Sequence, residues 1–157
     1  MIKIDYKLNN NILIPSIGFG TWQIPDGDEA YQSTLWALEA GYRHIDTAYV
    51  YRNEKSVGQA IKDSGIAREN IFVTTKLSAN IKNADEVRPY FEESLQNLGL
   101  DYVDLYLIHN ARPWNDAKEG YDYFEENVAI YETMEQLYEE GKIRSIGVSN
   151  FLVKDLE

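Results

Sequence analysis

Cysteine is missing altogether from this 157-residue chain, so no disulfide framework is available, which fits a cytoplasmic protein. Histidine is nearly as scarce, and the two present, His44 and His109, stand far apart with no recognised metal-ligand spacing. No metal is expected. Ser149 has no histidine-bearing partner motif beyond His109 itself, which leaves nucleophilic catalysis little support. Positive charge is thin: 15 Lys and Arg against 26 Asp and Glu leave a net charge of −11, and no Lys/Arg run forms a local exception. That balance repels phosphate backbones and anionic lipid and argues against a nucleic-acid partner. Long apolar runs are lacking too. Met1 to Asn11 alternates polar and apolar residues without an apolar signal core, and nothing later is long enough to span a bilayer.

What is present is ordinary for a globular chain: 44% hydrophobic and 26% charged residues, at a length that suits one domain over 1–157. Tyr6 to Leu8, three asparagines and Ile12 to Ile14 predict a hairpin within residues 1–15, because Asn tolerates the positive φ of tight turns. From residue 16 onward, short apolar runs alternate with longer helical patterns. The runs are Ser16 to Trp22, His44 to Ala48, Ile71 to Leu77, Tyr102 to His109 and Ser145 to Phe151. Between them lie helical segments from Asp28, an acidic capping candidate, to Ala40; after Asn53, a second candidate cap; along Val87, Phe91, Leu95 and Leu98; and along Ile130, Met134, Leu137 and Tyr138. Strands alternating with helices imply right-handed crossovers and a parallel sheet, hence α/β architecture. Gly18-Phe19-Gly20 is followed by Thr21-Trp22-Gln23 and lacks the third glycine of a dinucleotide fingerprint. A (β/α)8 barrel is therefore favoured over a doubly wound sheet, truncated here to the hairpin and about five β/α units, with the C-terminal strands absent.

Polar residues cluster where those runs end: Trp22, Asp46, Lys76, His109, Ser149 and Asn150. Such positions share one rim of a parallel barrel, and Tyr51 lies five residues beyond Asp46. A tyrosine serving as general acid at neutral pH gains from a nearby cation that stabilises its phenolate, and Lys76 can be that cation. Asp46 can hold the lysine by ion pairing, while His109 can donate to or orient the same substrate oxygen. The set suits protonation of a carbonyl oxygen as a hydride reaches the carbon. Taken singly, each residue has a plainer reading. Asp46 can cap a turn, Tyr51 is one of 12 tyrosines, Lys76 can be solvated, and His109 can be a satisfied core histidine. His44, at the opposite strand end, reads as structural. The acidic cluster of Glu119, Asp122, Glu125 and Glu126 reads as a solvated loop and helix start.

Ile17 to Trp22, Gly41 to Tyr51 with Asn53-Glu54, Thr75-Lys76-Leu77, Leu98 to His109 and Gly147 to Phe151 together resemble the N-terminal portion of an aldo-keto reductase. The resemblance implies reduction of aldehydes and ketones by hydride transfer from NADPH, with NADH as the alternative cofactor. It also implies Tyr51 as proton donor, Lys76 and Asp46 as the pair that tunes it, and His109 as the residue orienting the carbonyl. Ser149 and Asn150 would hold the nicotinamide carboxamide, with Thr21 and Asp46 near the ribose. Trp22, Val50 and Asn110 would face the substrate.

The departures carry expectations of their own. Ser78 and Asn110-Ala111 stand where many members of that family have tryptophans, which predicts a more open and polar pocket. Arg52 replaces a customary glycine and predicts a cation at the pocket mouth, favouring an anionic substrate. Ending after five strands, the sheet would expose two edges and call for self-association or a complementary half. A second function class follows: a non-catalytic barrel or regulatory subunit that keeps these residues but has lost cofactor binding.

Overall fold

The computed structural model describes residues 4–115 and 117–157. Strand β1 (Asp5–Lys7) and strand β2 (Leu13–Pro15) form an antiparallel hairpin with Tyr6 opposite Ile14. Its turn places Asn11 at φ 69°. Asn10 then donates from Nδ2 to the Arg144 carbonyl at 2.8 Å and to Ser145 Oγ at 3.1 Å, fastening the hairpin beneath the far end of the sheet.

Five short strands follow: β3 (Phe19–Gly20), β4 (His44–Asp46), β5 (Phe72–Leu77), β6 (Leu105–Ile108) and β7 (Ile146–Val148). They form one parallel sheet in chain order, each within its predicted apolar run. This is an α/β fold built from the first units of a (β/α)8 barrel. Hydrogen bonds between neighbouring strands continue one residue past the strand ends, from Thr21 N to Asp46 O (3.0 Å), Thr47 N to Thr74 O (2.9 Å), His109 N to Leu77 O (3.2 Å) and Ser149 N to Ile108 O (2.8 Å). The rim is thus registered by the backbone itself.

Helices α1 (Asp28–Glu39), α2 (Glu54–Asp63), α3 (Val87–Leu98) and α4 (Phe124–Glu139) pack consecutively on one face. Val87, Phe91 and Leu98 of α3 and Ile130, Met134 and Leu137 of α4 are buried against the sheet with Ile45, Val73, Tyr106 and Ile108. Each such large side chain contributes about 1.5–3 kcal/mol by leaving water. Tyr138, counted in the predicted stripe, is exposed instead. The helix starts also differ from expectation. Gly27, not Asp28, occupies the N-cap of α1, and Asn53 occupies that of α2 with its side chain committed elsewhere. Gly58 allows α2 to cross α3 closely, since a Cβ there would lie 2.1 Å from the Leu98 carbonyl oxygen.

Thr75 Oγ1 donates to Glu54 of α2 at 2.7 Å, which assigns the odd residues of β5 to the helix face. Thr74 and Lys76 consequently point into the barrel side, as does His44, whose Nε2 lies 2.9 Å from Thr74 Oγ1 and whose ring meets Phe72 edge-on. At the lower end of the sheet, Asp104 gathers Arg68, Arg144 and the Val73 N–H. β3 and β7 are the sheet edges, and an apolar groove runs between β7 and α4 past Phe124, Val128 and Phe151. Among the described residues, no helix is long and apolar enough to cross a membrane.

Candidate active site

β4 ends at Asp46, and a single 3₁₀ turn over Tyr49–Tyr51 carries Tyr51 back across the rim. From β5, Lys76 is almost wholly buried, and Nζ donates to Asp46 Oδ1 at 2.5 Å and to the Thr47 carbonyl at 2.9 Å. A buried ammonium needs such partners, and the Asp46 pair is charge-assisted. The same Nζ lies 3.5 Å from the Tyr51 hydroxyl. On the other side of that hydroxyl stands His109 Nε2 at 3.4 Å, one residue beyond the end of β6. The structure therefore brings Asp46, Lys76, Tyr51 and His109 into one contact chain.

The electrostatics give these groups distinct states. Burial, reinforced by the Lys76 charge and only partly opposed by Asp46, lowers the His109 pKa to about 4. Its imidazole is neutral at pH 7, and Nδ1 is buried with no protein partner among the described residues. Burial and then the Asp46 carboxylate raise the Tyr51 pKa. The phenol is thus protonated at neutral pH, and the long contact to Lys76 does not reverse that direction. A protonated hydroxyl thus stands at the rim with the Lys76 ammonium 3.5 Å away.

Beside Tyr51 and His109 opens a cavity of about 630 Å³, which Trp22 and Val50 line and Asn150 borders from beyond β7. Asn150 sits at φ 57°, a left-handed conformation asparagine tolerates, with Nδ2 donating to the His109 carbonyl at 2.8 Å and to Ser149 Oγ at 3.0 Å. Thr21 is fully buried, and its hydroxyl donates to Asn53 Oδ1 at 3.4 Å. Asn110, expected to face the substrate, does not line this cavity: its carbonyl accepts from Lys82 and its Oδ1 from the Arg112 N–H.

Three features were not legible in advance. Asn53, expected to cap α2, is a buried hub: Nδ2 donates to the Thr21 and Ile24 carbonyls, while Oδ1 accepts from Thr21 and Thr47. It ties the loops after β3 and β4 together, and only its place beside the tyrosine turn hinted at this. Arg52 adopts φ 61°, where glycine would be unstrained, and its guanidinium stacks over the Tyr49 ring at 4.8 Å. Tyr49 in turn donates to Glu93 of α3, so the cation faces the helices rather than the cavity. Trp114, in the loop after β6, lines the cavity and meets the His109 ring edge-on at 4.8 Å. An indole therefore occupies a pocket predicted to lack one at the family's usual position. Among the described residues, no group of three or more His, Cys, Asp and Glu is placed to hold a metal.

Polar side chains from successive strand ends, converging on one cavity at the C-terminal rim of a parallel α/β sheet, are the layout of a (β/α)8-barrel enzyme site. Residues 16–157 match the sequence model of the aldo/keto reductase family, and the chain belongs to that family. Members of the family are oxidoreductases that reduce aldehydes and ketones. The chain is 46% identical over 144 residues to the 9,11-endoperoxide prostaglandin H2 reductase of Trypanosoma cruzi, covering 92% of this chain and 47% of that protein. Among solved structures, an aldo/keto reductase from Brucella melitensis superimposes with a TM-score of 0.89 at 45% identity, covering 99% of this chain and 56% of that one. A Bombyx mori aldo-keto reductase in complex with NADP gives a TM-score of 0.84 at 40% identity, covering 99% and 53%. The chain thus spans about half the length of the relatives it matches.

Proposed function

We propose that this protein reduces aldehydes and ketones to alcohols with NADPH, using Tyr51 as the proton donor. The observation that carries the proposal is the Tyr51 hydroxyl at the edge of the cavity, held between Lys76 Nζ at 3.5 Å and His109 Nε2 at 3.4 Å. Asn150 and Ser149 suit a nicotinamide carboxamide, since the Asn150 Nδ2 is engaged while its Oδ1 has no protein donor among the described residues. When bound there, the cofactor supplies the hydride to the carbonyl carbon.

The chain's own residues handle the oxygen. Tyr51 gives its proton to the carbonyl oxygen as negative charge builds there, and Lys76 stabilises the phenolate that remains. Asp46 and the Thr47 carbonyl hold the ammonium in place. Neutral His109 orients the substrate oxygen without competing as a cation. Thr21 supports the site from beneath through Asn53. Trp22 and Val50 wall the carbonyl's substituents. The cysteine-free composition supports a cytoplasmic location. The unpaired β7 edge and the apolar groove beside it support self-association or pairing with a complementary segment.

The test is NADPH consumption at neutral pH with a simple aromatic aldehyde, run beside Tyr51→Phe. Turnover that disappears in the variant is the expected result. Equal turnover in both removes Tyr51 from the mechanism, and failure of the protein to bind or oxidise NADPH leaves the non-catalytic class standing.

A further inference from the structure

Glu54 opens α2 at only 2% exposure, and among the described residues it takes part in no ion pair. Its walls are α3 and β5, the central strand of the sheet, two strands from either edge. Burial raises its pKa, and neutral donors oppose that: Thr75 Oγ1 donates to Oε1 at 2.7 Å and Asn97 Nδ2 of α3 to Oε2 at 3.2 Å. Ser94 Oγ and Tyr106 Oη, fully buried in the same layer, have no partner among the described residues. A carboxylate without a cation is costly to bury, and this one does not reach the cavity beside Tyr51.

What Glu54 supplies is the closure of a circuit. It follows Tyr51 by three residues, directly after the hub Asn53, and Thr75 immediately precedes Lys76. The Glu54–Thr75 hydrogen bond on the helix face therefore joins the two segments whose side chains meet on the other face, Tyr51 hydroxyl to Lys76 Nζ, at 3.5 Å. The turn between them needs such a fixture. Arg52 holds φ 61°, a left-handed conformation that a residue with a Cβ disfavours, so local preference does not keep the turn in this shape. Tyr49 fixes its start to Glu93 of α3 at 3.0 Å, and Glu54 fixes its far end to β5.

We propose that Glu54, through Thr75, is the positioning residue that sets the spacing between the Tyr51 hydroxyl and the Lys76 ammonium. The inference rests on the reductase reading for its effect on turnover, but its geometry does not depend on turnover. The hydrogen bond and not the charge carries the role, so an uncharged side chain that still accepts from Thr75 serves as well. Without the bond the turn and β5 drift apart, the ammonium favours the phenolate less, and Tyr51 becomes harder to ionise.

The experiment compares Thr75→Val, Thr75→Ser and Glu54→Gln with the unsubstituted protein, using NADPH and benzaldehyde. Thr75→Val keeps the volume and removes the hydroxyl, and kcat is expected to fall about tenfold or more with KM within about twofold. Thr75→Ser and Glu54→Gln, which keep the donor and the acceptor of the link, should stay within about twofold of the unsubstituted kcat. An unchanged kcat in Thr75→Val, or a fall that Thr75→Ser shares, overturns the proposal. Titration of Tyr51 by NMR of tyrosine isotopically labelled at Cζ, its signal assigned by its absence in Tyr51→Phe, gives a readout free of turnover. A midpoint higher by about half a pH unit or more in Thr75→Val, and unmoved in the two conservative variants, upholds the inference. A midpoint that stays in place in Thr75→Val while its urea midpoint drops marks a merely structural link and overturns it. The higher midpoint in a protein that turns over no carbonyl would sink the reductase reading alone.

Discussion

Asp46 and Asp104 are both aspartates in contact with cations on the same sheet, and they lead different lives. At the lower end, Asp104 is buried to 1% side-chain exposure and both its oxygens are saturated: Arg68 at 2.7 Å, Arg144 at 2.6 Å and the Val73 N–H at 2.9 Å. At the rim, Asp46 keeps 34% of its side chain exposed, and Lys76 on Oδ1 is its charged partner. Nearby contacts are looser still, with 3.4 Å and 3.5 Å at the Tyr51 hydroxyl and a buried His109 Nδ1 that lacks a protein partner among the described residues. Saturated polar groups hold a fold together. Groups kept short of saturation retain capacity for a substrate, which is why the rim and not the base reads as the site.

The widest separation of the two ends should come from Tyr51→Phe, which is expected to cost about 10²–10⁴-fold in turnover while changing folding free energy by less than about 1 kcal/mol. Steady-state assay and urea unfolding on the same preparation measure both. Asp104→Ala is the converse. Leaving Arg68 and Arg144 without their shared carboxylate should destabilise by about 3–5 kcal/mol, read as a lower urea midpoint. If it instead abolished turnover at unchanged stability, the contrast between the two aspartates would collapse.

A pH series sharpens the comparison further. His109 has a folded pKa of about 4, below its ordinary 6.5, so the unfolded chain binds more protons between those values. Stability should fall as pH drops from about 6.5 towards 4, by about 3 kcal/mol at most. His44, also lowered by burial, adds a slope of the same sign. The part that vanishes in His109→Gln belongs to the rim, and turnover should show no loss of activity centred at 6.5. At Gly58→Ala the new Cβ would lie 2.1 Å from the Leu98 carbonyl oxygen, a backbone clash that α2 and α3 must separate to relieve. Overpacking of about 3 kcal/mol or more should lower the thermal midpoint and spare KM.

Much of this layout was legible from one-dimensional pattern. Alternating runs located five strands and four helices because each helix needs one apolar stripe and each buried strand a short apolar run. Asp46, Lys76 and His109 were legible for a related reason: they end their runs, and backbone hydrogen bonds carry the strand register onto the rim. Asn53 does stand at the N-cap of α2, but its side chain serves a buried hub, a role that draws on the same residue type as capping. Tyr138 was overcounted because a residue flanking an apolar stripe can turn outward. Trp114 escaped notice because its seat is made by Asn80, 34 residues earlier in the chain.

By itself the sequence determined the α/β class, the family and which residues end the strands at the rim, since periodicity, strand ends and motif order are local properties. Tertiary structure alone decided how those residues are tuned. Burial makes His109 neutral and keeps Tyr51 protonated. The stacking of Arg52 on Tyr49 turns a cation away from the cavity, and a distant asparagine sets an indole against the histidine. Desolvation and contacts between separate loops exist only once the chain is folded, so no local reading of residues contains them.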